Sequence, residues 1–221
     1  STLSSSSAAS DVYKRQLRTG EVYPGYPKYR ELQYGHADGN QWVAAECDVS
    51  IRPGWFYHPE EDDRVKTVDE LTDLYYRSVG HNATLLLNFP VDRDGLIHPT
   101  DSANAVNFHQ NVQKQLAHNL LAGLSPKASD ERGRTFSAKA VTDGDYDTYW
   151  ATNDDVISAT IEFDLPQAEK INRMMLQEYI PLGQRVKSFV VEYNQAGEWI
   201  PVKLNEETTT IRYLSLIHIS E

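Results

Sequence analysis

The sequence predicts a multidomain protein of α/β plus all-β class, in which a partial (β/α)8 barrel is followed by an antiparallel β-sandwich. Three observations predict it. Strand, helix, strand and helix patterns succeed one another between Gln41 and Leu121, the repeating unit of an α/β barrel. Beyond Ser125 and Pro126 the spacing changes to an alternation of apolar and polar residues that suits half-buried strands. The length of 221 residues affords a core, yet two strand–helix units fill only part of a barrel that takes about 250 residues.

Taken in order, Ser1 to Gln16 and Leu214 to Glu221 read as translated sequencing-adapter ends and are set outside the fold. The expected organisation is therefore a tail over 1–16, barrel over 17–124, sandwich over 125–213 and a second tail over 214–221, with the natural segment cut from a longer protein. Residues 17 to 40, rich in Gly, Pro and Tyr, read as a long connection. Gln41 to Ile51 reads as a strand. Thr67 as N-cap with Glu70 three residues on forms a capping box, and Val68, Leu71, Leu74, Tyr75 and Val79 keep helical spacing until Gly80. Ala83 to Phe89 is a continuous apolar run ending at Pro90, as in a parallel strand covered on both faces. Asp92-Arg-Asp94-Gly95 is a tight turn. A second helix is predicted from about Asp101 to Leu121, with Ala105, Phe108, Val112, Leu116 and Leu120 on one stripe. In the second part, Arg173 to Ile180 and Val186 to Tyr193 are β-rich. Asn194-Gln-Ala-Gly197 is a hairpin loop, and Trp150 and Trp199 are expected in the sandwich core.

Composition narrows the function. A net charge of -11 argues against nucleic acid or an anionic membrane as partner. The single cysteine, Cys47, excludes an intrachain disulfide and a multi-cysteine metal site. No apolar run approaches the roughly 20 residues that span a bilayer.

The chemistry concentrates in Trp42-Val-Ala-Ala-Glu46-Cys-Asp48-Val-Ser-Ile-Arg52-Pro-Gly-Trp55-Phe-Tyr-His58. Glu46 and Asp48 lie two residues apart, hence on one side of an extended backbone, ahead of an Arg, a His and three consecutive aromatics. Aromatic faces bind the C–H surfaces of sugars and paired carboxylates cut glycosidic bonds, so glycoside chemistry is the first reading. The alternative is a strand and loop with partly buried aromatics and ion-paired structural carboxylates. Asp48 is expected to pair with Arg52. Asn82-Ala83-Thr84 matches a glycosylation sequon but runs into a buried strand, so it is discounted. In the second part, Asp143-Gly-Asp145-Tyr-Asp147-Thr148-Tyr149-Trp150 imitates the start of an EF-hand without its glycine turn or closing Glu. A single-loop structural calcium site on Asp143, Asp145 and Thr148 and a metal-free turn both remain open.

These residues carry a resemblance. W-x-x-x-E-C-D-V-S-I-R-P-G-W-F-Y-H, S-V-G-H-N-A-T-L-L-L-N-F-P and D-R-D-G-L-I-H, over about residues 20 to 122, resemble the C-terminal part of the barrel of glycoside hydrolase family 29, the retaining exo-α-L-fucosidases. The branch most resembled favours α-1,3 and α-1,4 linked fucose. Residues from about Pro126 to Tyr213, with D-G-D-Y-D-T-Y-W and Q-E-Y-I-P-L-G-Q-R-V, resemble a truncated coagulation factor 5/8 type C module, a discoidin-like jelly-roll sandwich.

The resemblance implies that Glu46 is the general acid/base and that Arg52, Trp55 and His58 contact sugar or aglycone. It implies no cofactor for catalysis, fucosylated oligosaccharides or glycoconjugates as substrates, and a secreted or periplasmic parent enzyme. No motif here matches the family's nucleophile, an Asp on an earlier strand, so the 221 residues alone are expected to be inactive. The competing class is a non-catalytic carbohydrate-binding or adhesion protein in which the barrel part is scaffold.

Overall fold

The computed structural model describes residues 16–17, 41–42, 45–81, 83–182, 185–186, 188–202 and 214–218. The predicted connection over 18–40, the sequon residue Asn82, part of the Q-E-Y-I-P-L-G-Q-R-V motif and residues 203–213 lie outside them. The chain divides into two compact units, the first essentially residues 1–116 and the second essentially 117–213.

In the first unit a short antiparallel pair joins β1 (Gln16–Leu17) to β2 (Gln41–Trp42). The main element is β3 (Ala45–Ser50), which runs parallel to β4 (Ala83–Asn88), with Glu46 opposite Thr84, Asp48 opposite Leu86 and Ser50 opposite Asn88. Between the two strands lies α1 (Val68–Ser78), and after β4 comes α2 (Pro99–Leu116). This strand–helix–strand–helix order is the one predicted from the sequence.

The capping box that starts α1 is present. Thr67 Oγ1 accepts the Glu70 amide N–H at 3.3 Å, and the Glu70 carboxylate accepts the Thr67 amide N–H at 2.8 Å. Two donors left over at a helix start are thereby satisfied. Helix α1 turns Leu71 and Leu74 into a core with Cys47, Val49, Ile51 and Val65, and Leu85, Leu87, Phe89 and Phe108 pack on it. The two helices are cross-linked by polar bonds: Tyr76 Oη donates to Gln115 Oε1 at 2.9 Å, and Asn111 Nδ2 donates to Thr72 Oγ1 at 3.0 Å.

Two expectations for this unit are corrected. Strand β4 is not covered on both faces: Leu85 and Leu87 pack on the core, whereas Thr84 and Leu86 are exposed, Leu86 by 50 %. Continuous apolarity does not reveal which residues find a covering layer. Helix α2 ends at Leu116, so Leu120 falls in the following turn. There Asn119 competes for the backbone, its Oδ1 accepting the Leu121 N–H at 3.0 Å and its carbonyl the Ala122 N–H at 3.3 Å.

The second unit is β-rich. Antiparallel pairs join β5 (Lys127–Ala128) to β6 (Ile161–Glu162) and β8 (Glu192–Gln195) to β9 (Glu198–Pro201), with β7 (Arg173–Gln177) between them in the chain. Leu214–His218, set apart on its sequence as a tail, forms a strand. The alternation read over 160–165 appears as burial, since Ile161, Phe163 and Leu165 are half-buried and Glu162 and Asp164 exposed. The β-rich run over 186–193 forms a regular strand only from Glu192. Trp150 is half-buried and its indole N–H donates to the Asp130 carbonyl at 2.9 Å. Trp199 is 51 % exposed and is not core, because the β8–β9 ribbon is exposed along almost all of its length.

Candidate functional site

Period-two alternation along β3 decides what each side chain meets. Cys47, Val49 and Ile51 turn into the core. Glu46, Asp48 and Ser50 take the other face, with Thr84, Leu86 and Asn88 of β4 beside them. Glu46 is exposed there. Asp48 is half-buried, and among the described residues its Oδ1 is buried without a hydrogen-bond donor. Burial pushes the Cys47 thiol upward, with a further contribution from Asp48, so it behaves as a small core residue.

Beyond Ser50 the strand is tied off by its neighbours. Asn88 Nδ2 donates to Ser50 Oγ and to the Trp55 carbonyl, both at 3.1 Å. Lys66 Nζ donates to the Ser50 carbonyl at 2.7 Å, and burial lowers the Lys66 ammonium's pKa. Through its bond to the Trp55 carbonyl, Asn88 ties the loop 53–58 to the end of the face that carries Glu46. On that loop Trp55 is 45 % exposed, Phe56 is 78 % exposed and Tyr57 is half-buried. The exposed His58 imidazole stands 4.0 Å from Glu60.

Arg52 is not available to a ligand, contrary to the sequence reading. Its side chain is 0 % exposed and its guanidinium is consumed inside the protein. Nε and Nη2 donate to the two carboxylate oxygens of buried Asp101, each at 2.8 Å. Nη1 donates to Asp62 Oδ1 at 2.8 Å and to the His58 carbonyl at 3.4 Å, and the cation lies 4.6 Å from the centre of the Tyr57 ring. Hydrogen bonds donated to Asp101 above all hold this guanidinium firmly protonated against the cost of burial. The expected Asp48–Arg52 pair is likewise replaced by Arg52–Asp101. Strand β3 ends at Ser50 and the chain bends over 51–56, so Arg52 leaves the strand's alternation and reaches the start of α2 rather than Asp48.

Asp101, Asp62, His98 and Asn88 were not singled out by sequence reasoning. An Arg at the end of a core strand signals that some carboxylate must meet it, but nothing local says which one.

In the second unit Asp143 organises a closed loop. Its Oδ1 accepts the Asp145 amide N–H at 2.9 Å and its Oδ2 the Thr148 hydroxyl at 2.7 Å. Thr148's hydrogen bond, then Asp145's, lowers the Asp143 carboxyl's pKa. Thr148 Oγ1 therefore points its proton at Asp143, and among the described residues no three acidic, His or Cys side chains gather as a metal set. Asp143, Asp145 and Thr148 are thus drawn together in one loop closed by its own hydrogen bonds. Nearby, Tyr149 stacks on Tyr179 at 4.4 Å and packs with Phe136 at 4.9 Å.

Comparison with known proteins agrees with both units. Residues 125–217 match the F5/8 type C domain. The chain is 37% identical over 207 residues to a protein of Oryza sativa subsp. japonica provisionally named alpha-L-fucosidase 1, covering 92% of this chain and 38% of that one. A Bacteroides thetaiotaomicron structure, also provisionally named an alpha-L-fucosidase, superposes with TM-score 0.87 at 38% identity, over 96% of this chain and 47% of that chain. The resemblance to glycoside hydrolase family 29 holds. A family 29 fucosidase of Ruminococcus gnavus solved with fucose gives TM-score 0.77 at 34% identity, over 85% of this chain and 38% of that chain. The chain spans about two fifths of the length of the curated fucosidases it matches.

Proposed function

We propose that this chain contributes one wall of the active site of a retaining exo-α-L-fucosidase, which removes terminal α-1,3 or α-1,4 linked fucose from glycans by double displacement. The carrying observation is the likeness to family 29 fucosidases over nearly the whole chain, with Glu46 on an open face of a parallel strand pair. Glu46 is the general acid/base: it protonates the leaving oxygen and then deprotonates the water that releases fucose. The nucleophile stands about 5 to 5.5 Å across the scissile bond in such a reaction. Asp48 shares Glu46's strand and face, so the nucleophile comes from another barrel strand. Trp55 and His58, exposed on the loop above the face, are the sugar contacts among the residues proposed from sequence. The enzyme is secreted or periplasmic, its substrates are fucosylated oligosaccharides or glycoconjugates, and no catalytic cofactor is required.

The test joins this chain, in place of the matching segment, to the preceding part of the Bacteroides thetaiotaomicron relative. The joined protein should hydrolyse 4-nitrophenyl α-L-fucoside, whereas the 221 residues alone should not. In the joined protein Glu46→Ala should cost about 10²- to 10⁴-fold on fucosides with poor leaving groups and far less on those with good ones. Equal losses on both would remove Glu46 from the acid role. The F5/8 type C match favours a second activity beside this one, glycan binding by the second unit, which a glycan array probed with residues 117–221 would read directly.

A further inference from the structure

The loop that carries the exposed Trp55 and Phe56 is held by polar anchors. One anchor is Asn88, whose amide donates to the Trp55 carbonyl. The other is Arg52, whose Nη1 reaches the His58 carbonyl and whose cation faces the Tyr57 ring. Arg52 is held in turn by Asp101, wholly buried in the first turn of α2, and by Asp62 just beyond the loop. A bidentate carboxylate fixes the plane of a guanidinium as well as its position, so Asp101 sets the direction in which Arg52 presents Nη1. Asp62 closes the arrangement, accepting from Arg52 and, at 3.4 Å, from Tyr57 Oη. The His98 ring lies 3.6 Å from Asp62 and 4.0 Å from Asp101, and its Nδ1 accepts the Thr100 N–H at 3.3 Å, which joins the entry of α2 to the same group.

We propose that Asp101 and Asp62 are positioning residues which, through Arg52, hold loop 53–58 so that Trp55 and Phe56 form the wall for the sugar that leaves when the bond at Glu46 breaks. This rests on the fucosidase reading above. A general acid lies beside the leaving oxygen, and the loop rises from Glu46's own strand and is bonded through Asn88 to Glu46's own face. The loop is thus tied to the far end of Glu46's face, and Trp55, a sugar contact in the function proposed above, offers with Phe56 an aromatic wall that suits the C–H surface of the leaving sugar. Neither carboxylate touches the substrate. Their effect is on how well the leaving sugar is bound, and a fluoride leaving group, with no surface to lay on the aromatics, bypasses it.

The experiment has two arms, each with Asp101→Asn and Asp62→Asn; Asp62 is half-exposed, so its variant keeps the fold if the buried one does not. In the 221-residue chain, amide hydrogen exchange over residues 54–58 should quicken at least about tenfold while β3 and β4 keep their protection. In the joined protein, KM for a fucosylated disaccharide should rise about tenfold with little change in kcat, and both constants for α-L-fucosyl fluoride should hold within about twofold. Asp62→Glu should restore most of the loss. Unchanged loop exchange, or equal losses on both substrates, overturns the positioning role. An inactive unsubstituted protein overturns the fucosidase reading and the proposal with it, whereas an active one with unchanged KM in the variants overturns the proposal alone.

Discussion

Replacing Arg52 by Met keeps most of the stem volume and removes three charged hydrogen bonds of 2.8 Å, two of them to a carboxylate with no exposure. The two partners predict different costs. Asp101 would be left charged, buried and unpaired, and breaking a buried pair in this way costs about 3 to 5 kcal/mol. Asp62 is 36 % exposed and water replaces its lost partner, so its share is at most about 1 kcal/mol. Arg52→Met should therefore lower the melting temperature of the first unit by roughly 15 °C, against at most about 4 °C for Asp62→Asn, at about 4 °C for each kcal/mol in a unit of this size. The assay is thermal unfolding followed by circular dichroism, with urea titration as a second measure. The double variant Arg52→Met with Asp101→Leu should recover most of the loss, since it removes the stranded charge along with its partner. Equal small shifts for Arg52→Met and Asp62→Asn, or a double variant worse than Arg52→Met alone, would refute the assignment of the buried pair to Arg52 and Asp101.

Three further outcomes are expected. Leu71→Ala, at a fully buried position of the core, should cost about 2 to 5 kcal/mol, read by the same urea titration at unchanged slope. Thr67→Ala should cost about 1 kcal/mol at neutral pH by removing the N-cap of α1. The Glu70 carboxyl is held below its usual range, first by the Thr67 amide, so its contribution is whole above an unfolded pKa of about 4.3 and is lost as pH falls through the lower folded value. Melts at pH 7 and pH 3 should show the gap between Thr67→Ala and the parent narrowing on acidification. Ala196→Asn should stabilise the second unit by about 0.5 to 1 kcal/mol in thermal melts, because Ala196 sits at φ 55° ahead of Gly197 at φ 93° in the two-residue β8–β9 turn, where Asn-Gly is favoured.

The regular elements of the first unit were legible because their signals are local. A Thr followed three residues on by Glu starts α1 whatever else the chain does, and the spacing of Leu71 and Leu74 declares the buried face. The place of Glu46, on the face opposite the core-facing Cys47 and Val49, follows from strand alternation alone. Arg52 was misassigned for a physical reason: an arginine four residues from an aspartate in sequence looks paired with it, but its true partner lies 49 residues on, at the start of a helix. The fate of Trp199 was hidden for a similar reason, since alternation tells which residues share a face and not whether another layer covers it. Asn119 shows the limit at helix ends, where one side-chain oxygen that can accept from the backbone outweighs a continuing apolar stripe.

The face that carries Glu46 poses a question the core does not. Asp48 and Glu46 are one strand step of about 6.6 Å apart and project the same way, so they cannot flank a sugar ring from its two sides as a retaining pair must. The same face holds Leu86, half-exposed, opposite an Asp48 oxygen that is buried and unpartnered among the described residues. An apolar side chain facing water beside a carboxylate oxygen shut away from it is a poor arrangement for a finished surface and a reasonable one for the inner lining of a barrel, where further strands cover Leu86 and supply a donor to Asp48. On that argument a cover for Leu86 and a donor for Asp48 are what a completed lining would supply, and in the function proposed above the attacking carboxylate would come from the same covering strands.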